Sequence, residues 1–272
     1  ITIRPQDLGW KAVVSNISDL LSSGSKKTIG ITISLILPEK TEWIWVEELY
    51  IGISKALKKY GGIILGGDCS KGKQKTISIT TLGIQGELKL QRNACIPGEI
   101  ILTTGIHGLS KLGFMIQNKN SFGTDISLTE RLIKKSIEHF CRPQVYPHFL
   151  TNLLKTRSNK KITKIGCTDS SDGLFQAVQD LAIASNCKAI MNYEKIPKDK
   201  DWPKGDNWDE YYFFGGEDYE LVFSLPKKWA NNLSKLDKNI NKIGYFAKGK
   251  PSIEFKENNK NKLLQNIPFK HF

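Results

Sequence analysis

The chain has 272 residues, enough for one large core or two ordinary ones, and two folded units are the expectation. Its net charge is +13, but only five of its 40 basic residues are arginine and the lysines are scattered, which argues against a nucleic-acid surface and leaves a mild attraction for small anions. No apolar run approaches the ~20 residues of a membrane helix, and the five cysteines have neither CxxC nor zinc spacing, the pattern of reduced thiols in a cytoplasmic protein.

The first residues carry no apolar signal-peptide core, and Ile1 in place of methionine suggests a fragment or a processed product. Residues 7–23 set Trp10, Val13, Val14, Ile17, Leu20 and Leu21 at helical spacing, with Gly24 as terminator. The opposite stripe is Ser15, Asn16, Asp19 and Ser23, with Asp19 its only charge. Residues 28–37 alternate cleanly through Ile29, Ile31, Ile33, Leu35 and Leu37, a strand stopped by Pro38. Thr41 is placed to cap a helix reaching Tyr60, with Val46, Leu49, Ile53, Leu57 and Tyr60 as its core face. Strands over 63–65 and 76–82 follow, and this order suggests an α/β layer with antiparallel pairing.

Residues 88–99 are polar and end in the Pro97-Gly98 turn, reading as the joint between units 1–96 and 97–272. Beyond it the pattern predicts a strand over 100–104, helices near 108–117 and 128–156, a strand over 162–167 and a helix over 172–186. Strands near 219–225, 240–246 and 252–255 close the chain, with 195–207 a polar, proline-containing insertion.

Three Gly-acid clusters stand at the predicted strand ends: Gly66-Gly67-Asp68, Asp169-Ser170-Ser171-Asp172-Gly173 and Gly215-Gly216-Glu217-Asp218. A single one is ordinarily just a turn. Repeated, they point to bound metal ions and phosphates, because glycine lets the backbone approach a ligand and carboxylates supply hard oxygen donors. Gly67 to Lys73 spells most of a P-loop, but Gln74 replaces the hydroxyl that ligates magnesium and a strand-like run follows instead of a helix. The four histidines lack ligand spacing and read as surface or packing residues, and no motif marks a nucleophile. Phosphoryl transfer needs positioning and charge neutralisation, with magnesium held by isolated aspartates from different segments. Asp19, Asp68, Asp169 and Asp172 fit that description, and Ser171 can hydrogen-bond a phosphate. Local pattern alone favours a solvated Asp19 and reads Asp172-Gly173 as a common turn or helix start.

These residues, taken in order, carry a resemblance. Asp7-Leu-Gly-Trp-Lys-Ala, Asn16-Ile-Ser-Asp19-Leu, Gly66-Gly-Asp68, Arg92 before Pro97-Gly98, Arg142-Pro143, Asp169-Ser-Ser-Asp172-Gly-Leu, Gly215-Gly-Glu-Asp-Tyr-Glu-Leu and Phe269-Lys-His-Phe272 span the chain. It resembles the thiamine-monophosphate kinases, of the superfamily that includes aminoimidazole ribonucleotide synthetase. The resemblance implies an α/β (α+β) fold: a ferredoxin-like N-terminal domain that dimerises through its sheet, then a C-terminal α/β domain. It implies a cytoplasmic homodimeric kinase that transfers phosphate in line from ATP to thiamine monophosphate, with no membrane or nucleic-acid partner. By position, Asp19, Asp68, Asp169 and Asp172 would hold Mg2+, and Gly67, Asp68, Arg92 and Ser171 would contact ATP. Glu217 would bind the substrate and Phe269 would pack on its rings, where bare pattern reads terminal packing.

The family opens with a Gly-Asp-Asp strand and a second strand bearing a Thr-Asp pair and a substrate-contacting histidine. This chain begins after both, so it reads as N-terminally truncated, missing the first strands of its ATP- and metal-binding domain. A polypeptide so shortened is expected to fold in its C-terminal half, to expose an open apolar edge and to be a poor kinase. Cys69 stands where the family usually has threonine, and the segment Gly105-Ile-His-Gly-Leu-Ser lacks an acid often seen there. The alternatives are another ATP-dependent synthetase of the superfamily and a non-catalytic nucleotide-binding remnant.

Overall fold

The computed structural model describes residues 3–118, 128–205, 208–258 and 260–262. Helix α1 (Pro5–Ser22) opens on a proline, whose missing N–H costs nothing at a first helical position. It leads into strand β1 (Ser25–Leu37), and helix α2 (Trp43–Tyr60) packs beside α1 on the same face of β1. Val13, Val14, Ile17, Leu49 and Ile53 meet Ile31, Ile33 and Leu35 there, forming the first core.

Strands β2 (Ile63–Lys71) and β3 (Thr76–Gln85) flank β1 in the order β2-β1-β3. β2 is parallel to β1 and only β3 is antiparallel, which corrects the antiparallel expectation. The physical reason is α2 itself, a helical crossover that returns the chain to the starting edge. Thr41 caps nothing: α2 starts after Glu42 without a side-chain cap, and Trp43 Nε1 donates to Glu47 at 2.8 Å instead. Gly66-Gly67-Asp68 lies inside β2 rather than at a strand end, because a Cβ on Gly67 would stand 2.2 Å from the Ile33 carbonyl oxygen and only glycine allows pairing that close. Asp68 pairs with Ser34 and shares its face, opposite the face that Ile33 and Leu35 turn to α1 and α2.

The second sheet has eight strands among the described residues, in the order β11-β10-β7-β9-β5-β8-β6-β4. They are β4 (Lys89–Gln91), β5 (Ile100–Thr104), β6 (Lys164–Asp169), β7 (Lys188–Asn192), β8 (Leu221–Leu225), β9 (Ile240–Ala247), β10 (Ser252–Glu257) and β11 (Lys260–Lys262). One face packs Ile101, Val222, Ala189 and Ile243 against α6 (Leu174–Ala184), α3 (Leu109–Gln117) and α7 (Asp209–Phe213). The other sets Leu102, Phe223 and Leu225 under α5 (Phe149–Thr156) and α8 (Lys227–Leu236), whose Trp229 is fully enclosed.

The predicted helix over 128–156 is two helices, α4 (Glu130–Cys141) and α5, because Arg142 precedes Pro143 and is sterically pushed out of helical geometry. Within the polar insertion, Ile196 and Trp202 are buried, and Asp199 accepts from Lys135 at 2.6 Å and from Arg131. The five cysteines are free thiols, with only Cys69 exposed.

Candidate active site

Helix α1 belongs to the first core, yet one of its faces contacts the second half of the chain along its length. Asp7 pairs with Arg142, Trp10 Nε1 donates to the Pro143 carbonyl at 2.8 Å, and Lys11 Nζ reaches Glu217 at 2.9 Å. About two turns further on, Ser18 Oγ donates to Asp169 Oδ2 at 2.5 Å. Positions 7, 11 and 18 fall on one helical face, so the contacts are a single seam.

The seam ends in a cluster of phosphate-site chemistry. Asp169 is the last residue of β6, 5% exposed, and its other oxygen accepts from Ser171 Oγ at 3.0 Å. The two hydroxyls fix the carboxylate's direction. Asp19 follows Ser18 on α1, and its pKa is pushed up to about 6 by partial burial and the charge of Asp169, with Arg92 opposing. Arg92 follows β4, donates Nε to Thr168 at 3.2 Å and lies 3.9 Å from Asp180, with its side chain 60% exposed. The charges of Glu217, Asp169, Asp19 and Asp172 all fall on Tyr219 and, after burial, help hold its phenol well above the usual range.

Glu217 sits in a strained loop. It has φ +66° and Tyr219 has φ +55°, so two non-glycine residues occupy the left-handed region on either side of Asp218. Asp218 is buried at the start of α3 and accepts from the backbone N–H of Gly108 at 2.6 Å and of Ser110 at 2.9 Å. Burial still pushes its pKa up to about 7, against those two bonds. Ser110 gives its own hydroxyl proton to the Glu217 carbonyl at 2.7 Å, so His139 Nδ1, 3.0 Å from Ser110 Oγ, is the donor in that contact. Burial lowers the His139 pKa to about 4 and keeps the ring neutral. Burial also lowers the Lys11 pKa, with Glu217 opposing, and Lys11 Nζ stands 3.7 Å from the Phe140 ring centre.

Glu220 begins the approach to β8. It accepts from Thr104 Oγ1, and its carboxylate fills the space where a Cβ on Gly105 would sit. Burial raises its pKa to about 8, against the Thr104 bond. Between the unfolded value of 4.5 and about 8 the folded state therefore holds a proton that the unfolded state has lost, and stability falls as pH rises through that window. Glu220→Gln is expected to match wild type near the lower end of that window and to melt at progressively higher temperature than wild type toward its upper end. A Tm difference that stays constant across that range would show that Glu220 is ionised in the fold.

Of the predicted site residues, Asp19, Asp169, Asp172, Ser171, Arg92 and Glu217 gather where α1 meets β6 and the 215–220 loop. Gly67 and Asp68 do not join them within one chain, since Asp68 lies on the open face of β2, where Ser70 Oγ donates to it at 2.8 Å. Phe269 lies outside the described residues. Asp218 belonged to a predicted Gly-acid cluster without a role of its own, and Lys11, Ser18, Ser110 and His139 were not singled out as site residues; the available signal was a lysine and a serine inside the apolar stripe of α1. Among the described residues, no three acidic, histidine or cysteine side chains converge as a ready-made metal cage. The Asp19–Asp169 pair nevertheless fits magnesium, which takes one or two carboxylates and completes its shell with water and substrate phosphates. Asp19, whose ionisation burial and the charge of Asp169 oppose, sits beside a single arginine in a site that a cation relieves.

The AIR synthase related protein N-terminal domain family matches residues 1–85. The chain is 40% identical over 272 residues to a thiamine-monophosphate kinase of Prochlorococcus marinus, spanning 100% of this chain and 82% of that one. It is 29% identical over 274 residues to the Synechococcus elongatus protein of the same name, with 100% and 81% covered. The solved structure of AaThiL complexed with AMPPCP and TMP superposes with TM-score 0.81 at 27% identity, over 99% of this chain and 81% of that one. The two-sheet α/β architecture is thus shared along nearly the whole chain. By its identity and coverage, the chain belongs to the thiamine-monophosphate kinase family.

Proposed function

We propose that the chain phosphorylates thiamine monophosphate with ATP, yielding thiamine diphosphate and ADP by direct in-line transfer. The observation that carries this reading is the meeting of Asp19 and Asp169 beside Ser171 and the exposed Arg92. The relatives' name and the AMPPCP and TMP bound to AaThiL support the donor and the acceptor.

A phosphate oxygen of thiamine monophosphate attacks the γ-phosphorus as the bond to the ADP oxygen breaks, so no covalent protein intermediate is needed. Asp19 and Asp169, with Asp172 in the same loop, would hold Mg2+. Bound there, the metal would supply charge neutralisation for the phosphates. Ser171, on turning its hydroxyl from Asp169, and Arg92, through the N–H groups it does not give to Thr168, would donate to phosphate oxygens. Glu217 keeps one oxygen on Lys11 and, with its side chain 40% exposed, presents the other to the cationic substrate. Gly67 and Asp68 can reach the nucleotide only from a second copy packed on the open face of β2-β1-β3. A homodimer therefore belongs to the same reading, supported by the exposed Ile63 and Leu82, both register partners of Gly30 on that face. Sedimentation equilibrium tests it, and a monomer at every concentration would overturn it. The reading keeps the division into 1–96 and 97–272, with β4 as the strand by which the first part joins the second sheet. It also places the enzyme in the cytoplasm, where ATP is available.

The test is chromatographic detection of thiamine diphosphate formed one for one with ADP. ATP hydrolysis without thiamine diphosphate, or turnover only of a purine-biosynthetic substrate, would refute the proposal. If Phe269 stacks on the thiazolium, Phe269→Ala loses about 0.5–2 kcal/mol of cation–π attraction, a rise of roughly 2- to 30-fold in KM for thiamine monophosphate. The KM for ATP should hardly change. An earlier melt with both KM values intact would assign Phe269 to packing.

A further inference from the structure

The second sheet is covered unevenly. On the face that carries Leu102 and Phe223, α5 and α8 shield the β5-β8-β6 side and α8 reaches the start of β9, while among the described residues no helix covers the β10-β7 end. A groove of about 690 Å3 lies there, along α8. Ile100, Tyr245 and Ile190 are register partners across β5, β9 and β7, so they form one transverse row on its floor. At ~4.8 Å between strands the row is about 10 Å wide, the size of a fused aromatic ring system. Tyr245 is 45% exposed.

The next row on the same face holds Asn192 opposite Lys256. Lys242 and Lys195 stand on the same lining, and α8 walls it with Lys227, Asn231 and Ser234, at positions i, i+4 and i+7 of one helical face. The lining thus holds four lysines and no carboxylate. Among the described residues none of the four is ion-paired: Lys242 donates to Asn231 at 2.9 Å and Lys256 to Asn261. The acid nearest on the strand, Glu254, is held by Lys188 at 2.6 Å. α8 itself begins at Lys227 with no side-chain cap and no acid in its first turn, leaving N–H groups suited to an anion. Asn192 Oδ1 and Ser234 Oγ, also on the lining, have no hydrogen-bond partner among the described residues.

We propose that this groove is a second binding site, for a small organic phosphate that carries a flat aromatic ring. The ring lies on the Ile100–Tyr245–Ile190 row, the phosphates meet the lysines, and a ring amine satisfies Asn192. The volume falls in the range of small-molecule sites. The groove lies over β5 to β10, away from β6, which carries Asp169 near the other end of the sheet, so the proposal stands independently of the kinase reading.

The probe is fluorescent N-methylanthraniloyl-ADP, titrated in EDTA so that metal-dependent binding is silent, with Asp169→Asn as a second control. One equivalent is expected to bind in EDTA and in Asp169→Asn alike. The double variant Lys227→Glu/Lys242→Glu should weaken it at least tenfold and Tyr245→Ala at least threefold, with unchanged melting and thiamine diphosphate formation. ADP should displace the probe at least tenfold better than inorganic triphosphate. Absence of EDTA-resistant binding, or affinity indifferent to the groove variants, overturns the proposal. Equal competition by inorganic triphosphate overturns it too, because the aromatic row would then have no role.

Discussion

Asp169→Asn is expected to lower kcat/KM for thiamine diphosphate formation by about 10²–10³, the loss seen when one preorganised electrostatic group is removed at a reacting phosphate or oxyanion. The substitution keeps the shape of the side chain and its place at the end of β6, but removes the net charge that pairs with Asp19 across the seam. The amide oxygen of the new side chain would still accept from one of Ser18 and Ser171, so the fold should hold and the melting temperature should move little. The measurement is steady-state turnover across a magnesium titration, with a thermal melt alongside. Near-normal turnover at saturating magnesium would refute the role given to Asp169.

The largest expected effect on stability is at Gly9. A Cβ there would lie 2.1 Å from the Leu49 carbonyl oxygen, and the reciprocal contact across the same helix pair has Gly52 with a Cβ 1.9 Å from the Gln6 carbonyl oxygen. Both obstacles are backbone, so no rotamer change relieves them. α1 and α2 would have to separate by about 1 Å across a close-packed core, and overpacking of this kind costs about 1–3 kcal/mol or more. Alanine recovers up to ~1 kcal/mol of helix propensity over glycine. The net expectation for Gly9→Ala is a loss of about 2 kcal/mol, hence roughly 4–8 °C in Tm for a protein of this size. An unchanged melting temperature would show that the two helices slide apart at no cost.

How far the sequence revealed this arrangement depended on the strength of each local signal. β1 was legible because five apolar residues alternate without interruption, and Asp169 and Glu217 because glycines and acids interrupt apolar runs. β7 and α8 were not, since five residues hold only two buried positions in β7 and α8 buries only Trp229, Ala230 and Leu233. The direction of β2 was invisible because side-chain periodicity is the same in parallel and antiparallel strands. Lys11 and Ser18 were hidden for a related reason: their partners, Glu217 and Asp169, lie 206 and 151 residues away. Nothing in a helical stripe states which distant segment will satisfy its polar members. Asp68 stood out by composition, and its open-face position follows only from the β1–β2 register.

The seam along α1 bears on how the molecule comes apart. The helix supplies Val13, Val14 and Ile17 to the first core while Asp7, Trp10, Lys11 and Ser18 grip the second half of the chain. Melting either half strips α1 of one of its two sets of partners and forfeits the seam contacts of Lys11 and Asp169. The free energies of the two halves are therefore not separable sums. Heat should unfold both in one cooperative step, with calorimetric and van't Hoff enthalpies in agreement, although the chain contains two sheets joined by a short polar link.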